Sequence, residues 1–323
     1  MGNGLGATSL RAVLHYRASP QLAAGLRRAA PDWLETAIVE EGDRVGLHAA
    51  LAEAEVLLHV LTPANEALLA AAPRLRLIQK IGVGINTIDL VAAKARGVRV
   101  ANMPGTNSQA VCELTLALML ACLRQVVPFD RATRGGTGWS LPLAALDRQR
   151  EIHGKTVGLV GYGEVARRLV PVLRALGATV VYNARRDHQA EDAALVSFDE
   201  LLQRSDIISL HLPLIPATER LLGAAQMRAM KPGVVIINTA RGGLIDQAAL
   251  TEALRSGIVS AAGLDVFADE PATALPLFEL PNVVVMPHLA WLTNETLARS
   301  FDLAIENCRR LREGGPLLNE IVL

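Results

Sequence analysis

The chain has 323 residues and carries 32 Lys+Arg against 32 Asp+Glu, a formal net charge of zero. At roughly 150 residues per domain this length gives two domains, and the charge balance argues against a general binder of nucleic acid or anionic membranes. Three scattered cysteines, Cys112, Cys122 and Cys308, are too few for a disulfide framework or a zinc cluster, so no metal is expected and a reducing, cytoplasmic location fits.

Met1–Ala7 holds no basic residue and no apolar core of the signal-peptide kind. Short apolar runs then alternate with helical patterns. The first set of expected strands is Arg11–Tyr16, Ala37–Glu41, Val56–Leu61, Leu75–Ile81 and Val98–Ala101, with a helix at Gln21–Ala29. Ser108–Arg124 reads as a long helix whose aliphatic stretch, Leu114–Leu123, is too short to span a bilayer. A Gly-rich stretch at Gly135–Gly138 leads into the second set: Thr156–Val160, Thr179–Asn183, Ile207–His211, Val234–Asn238, Gly263–Val266 and Val283–Met286. Helices are expected at Glu164–Leu176 and Gln247–Ser256, and again at Asn294–Glu313.

Strand–helix alternation with near-continuous apolar strands is the mark of parallel sheets covered on both faces. The chain is therefore read as α/β, with two doubly wound parallel-sheet domains of five or six strands each. The last helix is expected to return to the first domain. Residues 1–103 with 291–323 would then form one domain, and 104–290 an insertion within it.

Val157-Gly158-Leu159-Val160 runs into Gly161-Tyr162-Gly163-Glu164-Val165-Ala166 and then a helix. This G-x-G-x-x-[G/A] has the strand–turn–helix setting of a dinucleotide loop. Gly161 permits the tight turn, Gly163 lets backbone approach a pyrophosphate, and Ala166 allows close helix–strand packing. The phosphates would sit over free N–H groups at the helix N-terminus. The ribose selector should close the next strand, where an acidic residue would bind the 2′-OH and repel a 2′-phosphate. Asn183 stands there, followed by Arg185 and Arg186, which can clamp a phosphate. NADP(H) is expected over NAD(H).

Three polar residues follow strands on the side where such sheets bind ligands: Arg241, Glu270 and His288. Reducing a 2-keto acid needs a cation for the carboxylate, a proton donor for the carbonyl oxygen and a partner that keeps that donor in the right state. Arginine, histidine and glutamate supply these in turn.

From about Leu75 to Leu292 the chain resembles the D-2-hydroxyacid dehydrogenase family, which contains glyoxylate/hydroxypyruvate reductases and D-3-phosphoglycerate dehydrogenase. The matching pieces are Gly82-Val83-Gly84-Ile85-Asn86-Thr87-Ile88-Asp89, the nucleotide loop, His211-Leu212-Pro213-Leu214 and Lys231-Pro232-Gly233. Further on come Asn238-Thr239-Ala240-Arg241-Gly242, Asp265-Val266-Phe267-Ala268-Asp269-Glu270-Pro271 and Pro287-His288. The resemblance implies a Rossmann cofactor domain inserted into a flavodoxin-like substrate domain. It implies that Arg241 binds and polarises the keto acid and that His288 is the acid/base. Glu270 would hydrogen-bond the histidine so that it is protonated when the carbonyl is reduced. Asp265 would anchor the nicotinamide carboxamide, and Glu164, Val165, Leu212, Pro213, Thr239 and Ala240 would line the cofactor. Val83 and Gly84 would offer N–H groups to the substrate carboxylate.

Some positions depart from the family pattern. Asn86 stands where many members have Asp, and Trp291 replaces a small residue, as some members including the C-terminal binding proteins also have Trp there; the bulky indole would shape the pocket wall. Glu270 separates the chain from the formate dehydrogenase branch, which has Gln there. Pro128–Arg150, with Trp139, matches an arm that embraces a second subunit, so a homodimer is implied. Beyond Lys80, the sequence shows no extra basic cluster near the substrate loop. The expected activity is therefore NADP(H)-linked reduction of a small 2-keto acid, glyoxylate or hydroxypyruvate. The alternatives are an NAD(H)-binding sensor of the corepressor kind, or a dehydrogenase of a bulkier or phosphorylated 2-hydroxyacid.

Overall fold

The computed structural model describes residues 9–323; the reading of Met1–Ala7 lies outside the described residues. In chain order the elements are β1 (Leu10–His15), α1 (Pro20–Ala29), β2 (Leu34–Val39), α2 (Arg44–Glu53), β3 (Val56–His59), α3 (Glu66–Ala70), β4 (Leu77–Lys80), α4 (Leu90–Ala95) and β5 (Arg99–Ala101). Next come α5 (Ser108–Leu123), α6 (Val126–Arg134), α7 (Leu143–Leu146), β6 (Thr156–Val160), α8 (Glu164–Ala175), β7 (Thr179–Asn183) and β8 (Ala194–Leu195). The remainder are α9 (Phe198–Arg204), β9 (Ile207–Leu210), α10 (Ala224–Ala229), β10 (Val234–Asn238), α11 (Gln247–Arg255), β11 (Val259–Leu264), β12 (Val283–Val285) and α12 (Asn294–Glu313).

The chain divides into two compact units: the described residues through Asn107 with Leu292–Leu323, and Ser108–Trp291. Both boundaries fall slightly later than the expected 103/104 and 290/291. Pro104–Asn107 stays with the first unit because Thr106 bonds back to the Met103 carbonyl and its own carbonyl accepts from Arg299 of α12.

The first unit holds a five-stranded sheet in the order β2-β1-β3-β4-β5, parallel throughout. The order reverses between β1 and β3, the flavodoxin-like arrangement. Val13, Leu57, Ile78 and Val100 pack there against Leu47, Leu51, Leu69 and Ala93. α1 starts where Ser19 accepts from the Leu22 N–H and Pro20 presets the first turn. It buries Leu22 and Leu26, each contributing about 1.5–3 kcal/mol. α12 stops at Gly314, whose φ of 72° suits glycine.

The second unit holds a seven-stranded sheet, β12-β11-β10-β9-β6-β7-β8. Read from β8, this is the Rossmann order with a seventh strand at the far edge. One core, with Leu201, Met227 and Leu250, covers one face; another, with Leu118, Met119, Leu169 and Leu173, covers the other. Two expectations are corrected. β8 is two residues long, too short for any periodicity to reveal, and it brings the count to seven. The strand expected at Gly263–Val266 lies at Val259–Leu264: Ser260-Ala261-Ala262-Gly263 has little intrinsic strand preference, but pairing with β10 recruits it. β2 likewise begins earlier than the expected Ala37, because it pairs with β1 along its whole length.

Among the described residues no single helix is long and apolar enough to cross a membrane; α5 and α6 pass such a test only as a pair bent by 64°. No group of three or more His, Cys, Asp or Glu among them could hold a metal ion.

Candidate active site

The nucleotide loop joins β6 to α8. Gly161 has φ 99°, and a Cβ there would lie 2.5 Å from the His211 carbonyl oxygen. Glycine is therefore required by both the turn and the close approach of β9's continuation. Gly163 is the N-cap of α8, and a Cβ on it would meet nothing within 4 Å. The space over the helix N-terminus is open, and its free N–H groups can receive phosphate oxygens. Glu164 occupies the first turn, Val165 is half-buried and Ala166 is fully buried against the sheet. This cradle fits a dinucleotide.

At the end of β7, the Asn183 carbonyl accepts the Gly161 N–H, and its side-chain amide donates to the Val196 carbonyl at 3.1 Å. Arg185 and Arg186 are exposed. The next carboxylate, Asp187, is consumed by its own turn, accepting from the Tyr182 hydroxyl at 2.7 Å and the Gln189 N–H. No acidic side chain follows β7 ahead of it.

Leu212 and Pro213 follow β9, whose exit is fixed by the His211 N–H donating to the Val160 carbonyl. His211 bonds Ser209 at 2.9 Å, and burial pushes its pKa down to about 4. After β10, buried Thr239 meets Thr115 of α5 at 2.8 Å. Thr115 already donates to the Val111 carbonyl, so the Thr239 hydroxyl is the donor in this pair and keeps its own lone pairs as acceptors.

Asn238, fully buried, folds the next turn by accepting from Ala240 N–H and donating to the Arg241 carbonyl. Arg241 itself bonds the Ala240 carbonyl at 2.6 Å. Burial lowers its pKa, opposed by the charge of Glu270. Gly242 lies directly on the chain at Phe267: a Cβ would sit 1.8 Å from the Phe267 carbonyl carbon. This contact draws the Arg241 turn onto the loop that carries Glu270.

Glu270 is gripped from two sides. One oxygen accepts the Phe267 N–H at 2.8 Å, and the other lies 2.6 Å from His288 Nδ1. Burial raises its pKa, but the bond and charge of His288, the Phe267 N–H and Arg241 together hold it below the ordinary carboxylate range. An ionised carboxylate only accepts, so Nδ1–H of His288 donates and Nε2 is the atom left to give or take a proton.

His288 has φ 56°, a left-handed backbone that non-glycine residues seldom adopt. Asp265 holds it there. Its carbonyl accepts the His288 N–H, and its two carboxylate oxygens accept Leu289 N–H and Ala290 N–H, all at 2.8 Å. Asp265 is wholly buried; burial raises its pKa, while the two N–H groups and the charge of His288 act against that. Its position at the end of β11 was readable, but its grip on the histidine loop was not, since backbone donors leave no trace in residue type.

Arg241, Glu270, His288 and Asp265 are thus gathered in the second unit. Trp291, at that unit's end, is buried. Val83 and Gly84 belong to the first unit, on the turn after β4. Asn102 holds the Val83 carbonyl at 2.8 Å, Met103 N–H holds that of Gly82, and Val83 is exposed.

Residues 116–290 match the model of the D-isomer specific 2-hydroxyacid dehydrogenase family, NAD binding domain. The chain is 42% identical over 294 residues to D-3-phosphoglycerate dehydrogenase of Mycobacterium leprae, an alignment covering 90% of this chain and 55% of that protein. It therefore spans little more than half the length of that relative. It is 38% identical to glyoxylate reductase of Aeropyrum pernix, covering 81% of each. The TT0316 protein from Thermus thermophilus superimposes with a TM-score of 0.87 at 34% identity, covering 97% of this chain and all of that one.

Proposed function

We propose that this chain, which belongs to the D-isomer-specific 2-hydroxyacid dehydrogenase family, interconverts a 2-keto acid and its 2-hydroxy acid using NADP(H). The observation that carries the reading is the 2.6 Å Glu270–His288 pair, with the Arg241 turn seated against the same loop. When bound, the nicotinamide supplies or takes the hydride. Arg241 binds the keto acid, and its positive charge polarises the carbonyl. His288 Nε2 donates a proton to the developing alkoxide during reduction and recovers one in the reverse direction. Glu270 holds the imidazole in the tautomer that frees Nε2 and partners its positive charge. Gly161 and Gly163 make room for the pyrophosphate, and Asp265 keeps the His288 loop in place.

Preference for NADP(H) is supported by Asn183 in the ribose position, by the two exposed arginines and by the engagement of Asp187 elsewhere. A homodimer is supported by apolar exposure along the 126–146 segment, where Trp139, Leu143 and Leu146 lie open. A monomer by mass in solution would sink that part of the reading.

For the substrate, glyoxylate or hydroxypyruvate is the first choice, in line with the near full-length glyoxylate reductase relatives. A second reading, a substrate with a phosphate, is favoured by the higher identity to D-3-phosphoglycerate dehydrogenases. Absorbance of reduced nicotinamide tests the reaction: NADPH should be consumed faster than NADH with glyoxylate or hydroxypyruvate, and faster than with pyruvate. Absence of turnover with every 2-keto acid would refute it.

A further inference from the structure

From Asp265 to Leu275 the chain lies outside any helix or strand. It nevertheless carries Glu270, whose 2.6 Å bond to His288 Nδ1 leaves little play. Phe267 is the last buried residue before Glu270, its ring standing edge-on to Phe278 at 5.2 Å. Ala268 and Asp269 are exposed, so burial does not fix the path between Phe267 and Glu270.

Two consecutive backbone N–H groups take up that task. The Phe267 N–H donates to Glu270 Oε1 at 2.8 Å, and the Ala268 N–H donates to Gln247 Oε1 at 2.6 Å. Without Gln247, the Ala268 N–H would be a second donor beside the same carboxylate. An ionised carboxylate has room for several N–H bonds, and a shift of Glu270 toward Ala268 would draw it away from His288. Gln247 removes that competitor. Its amide is a neutral acceptor, so it satisfies the N–H without a like charge that would favour protonation of Glu270.

Gln247 is itself anchored. It opens α11, which Asp246 caps by accepting from the Ala248 and Ala249 N–H groups. The Asp246 N–H donates to the Leu222 carbonyl at 3.0 Å, and the Gln247 carbonyl accepts from Thr251 Oγ1 at 2.7 Å. Leu250 and Leu254 seat the helix in the core. A Cβ on Gly242 would come 2.4 Å from the Ala268 nitrogen, so the Arg241 turn closes on the same point of the loop.

We propose that Gln247 is a positioning residue, acting through the Ala268 N–H to keep Glu270 on His288, with no contact of its own to the reacting groups. The inference rests on the acid/base reading of the Glu270–His288 pair above.

The test measures kcat for NADPH-dependent reduction of glyoxylate and hydroxypyruvate across pH in the wild type, Gln247→Leu and Gln247→Glu. Losing one neutral hydrogen bond should lower kcat about three- to tenfold at neutral pH in Gln247→Leu. KM for NADPH should be unchanged. The deficit should narrow in acid, as pH falls through the lowered pKa of Glu270 and its charge is lost. Gln247→Glu keeps an acceptor for the Ala268 N–H and should restore most of the wild-type kcat at neutral pH. In Glu270→Ala, which has no carboxylate left to place, adding Gln247→Leu should cost nothing further. An equal loss in both backgrounds, a deficit that is the same at every pH, or wild-type turnover in Gln247→Leu overturns the role. A second readout is free of turnover: the downfield NMR resonance of the His288 Nδ1 proton, assigned by its loss in His288→Ala. It should persist in Gln247→Glu and move upfield or broaden away in Gln247→Leu. A resonance unchanged in Gln247→Leu also overturns the role. A resonance that depends on Gln247 in a protein that turns over no 2-keto acid would keep the positioning and refute the reaction instead.

Discussion

Replacing Glu270 by glutamine keeps an acceptor oxygen 2.6 Å from His288 Nδ1 but removes the charge. A hydrogen bond to a charged partner contributes about 1.5–3 kcal/mol and a neutral one about 0.5–1.5. The difference is about 1–1.5 kcal/mol, a roughly tenfold effect. Both side chains are partly exposed, at 23% and 29%, so solvent screening keeps the effect near the lower end of that range. The assay is kcat for NADPH-dependent reduction across pH, with cofactor affinity measured alongside. Glu270→Gln should turn over about fivefold more slowly at neutral pH, with a deficit that narrows in acid as pH falls through the lowered pKa of Glu270 and the wild type loses the same charge. NADPH affinity should be unchanged. A deficit that is the same at every pH would show Glu270 to be a packing residue. No deficit at all would remove it from the chemistry.

Gly242→Ala should cost stability by about 1–3 kcal/mol or more, as overpacking does, because its Cβ would run into the backbone of Phe267 and Ala268, which cannot swing aside. It should lower turnover together with the urea midpoint, and wild-type values for both would contradict the packing described. Asn183→Asp should shift the kcat/KM ratio toward NADH by placing a carboxylate beside the ribose, and a ratio that stays with NADPH would contradict the reading of this strand end. Because Glu270 sits below its ordinary pKa when folded, its contribution to stability is present above the unfolded carboxylate range and is lost as pH falls through the folded value. Urea midpoints should accordingly favour the wild type over Glu270→Gln near neutrality and converge in acid. A gap that widened as pH fell would reverse the sign of the argument.

Local signals made much of this legible. Thr156–Val160, Thr179–Asn183 and Val234–Asn238 are strands with the expected ends, because each is a dense apolar run closed by a turn. Gly161 and Gly163 announce the cradle because only glycine allows that approach. Arg241, Glu270 and His288 could be proposed because each follows a strand. Other features depend on contacts between distant segments. β11 contains Ser260-Ala261-Ala262, which form a strand only beside β10. The hold of Asp265 on His288 runs through backbone N–H groups that any residue would supply. His15, His59 and Lys80 end neighbouring strands in register, and they come together only through the order β1-β3-β4, which no local pattern encodes.

The most direct test follows NADPH absorbance with glyoxylate and hydroxypyruvate for the wild type and His288→Ala side by side, with NADPH affinity measured on both. Removing the acid/base group should cut kcat by about 10²–10⁴-fold while the nucleotide still binds, since the cradle at Gly161 and Gly163 is untouched. A variant that turns over at the wild-type rate would contradict the assignment of His288 as the proton donor, and with it the reaction proposed for this fold.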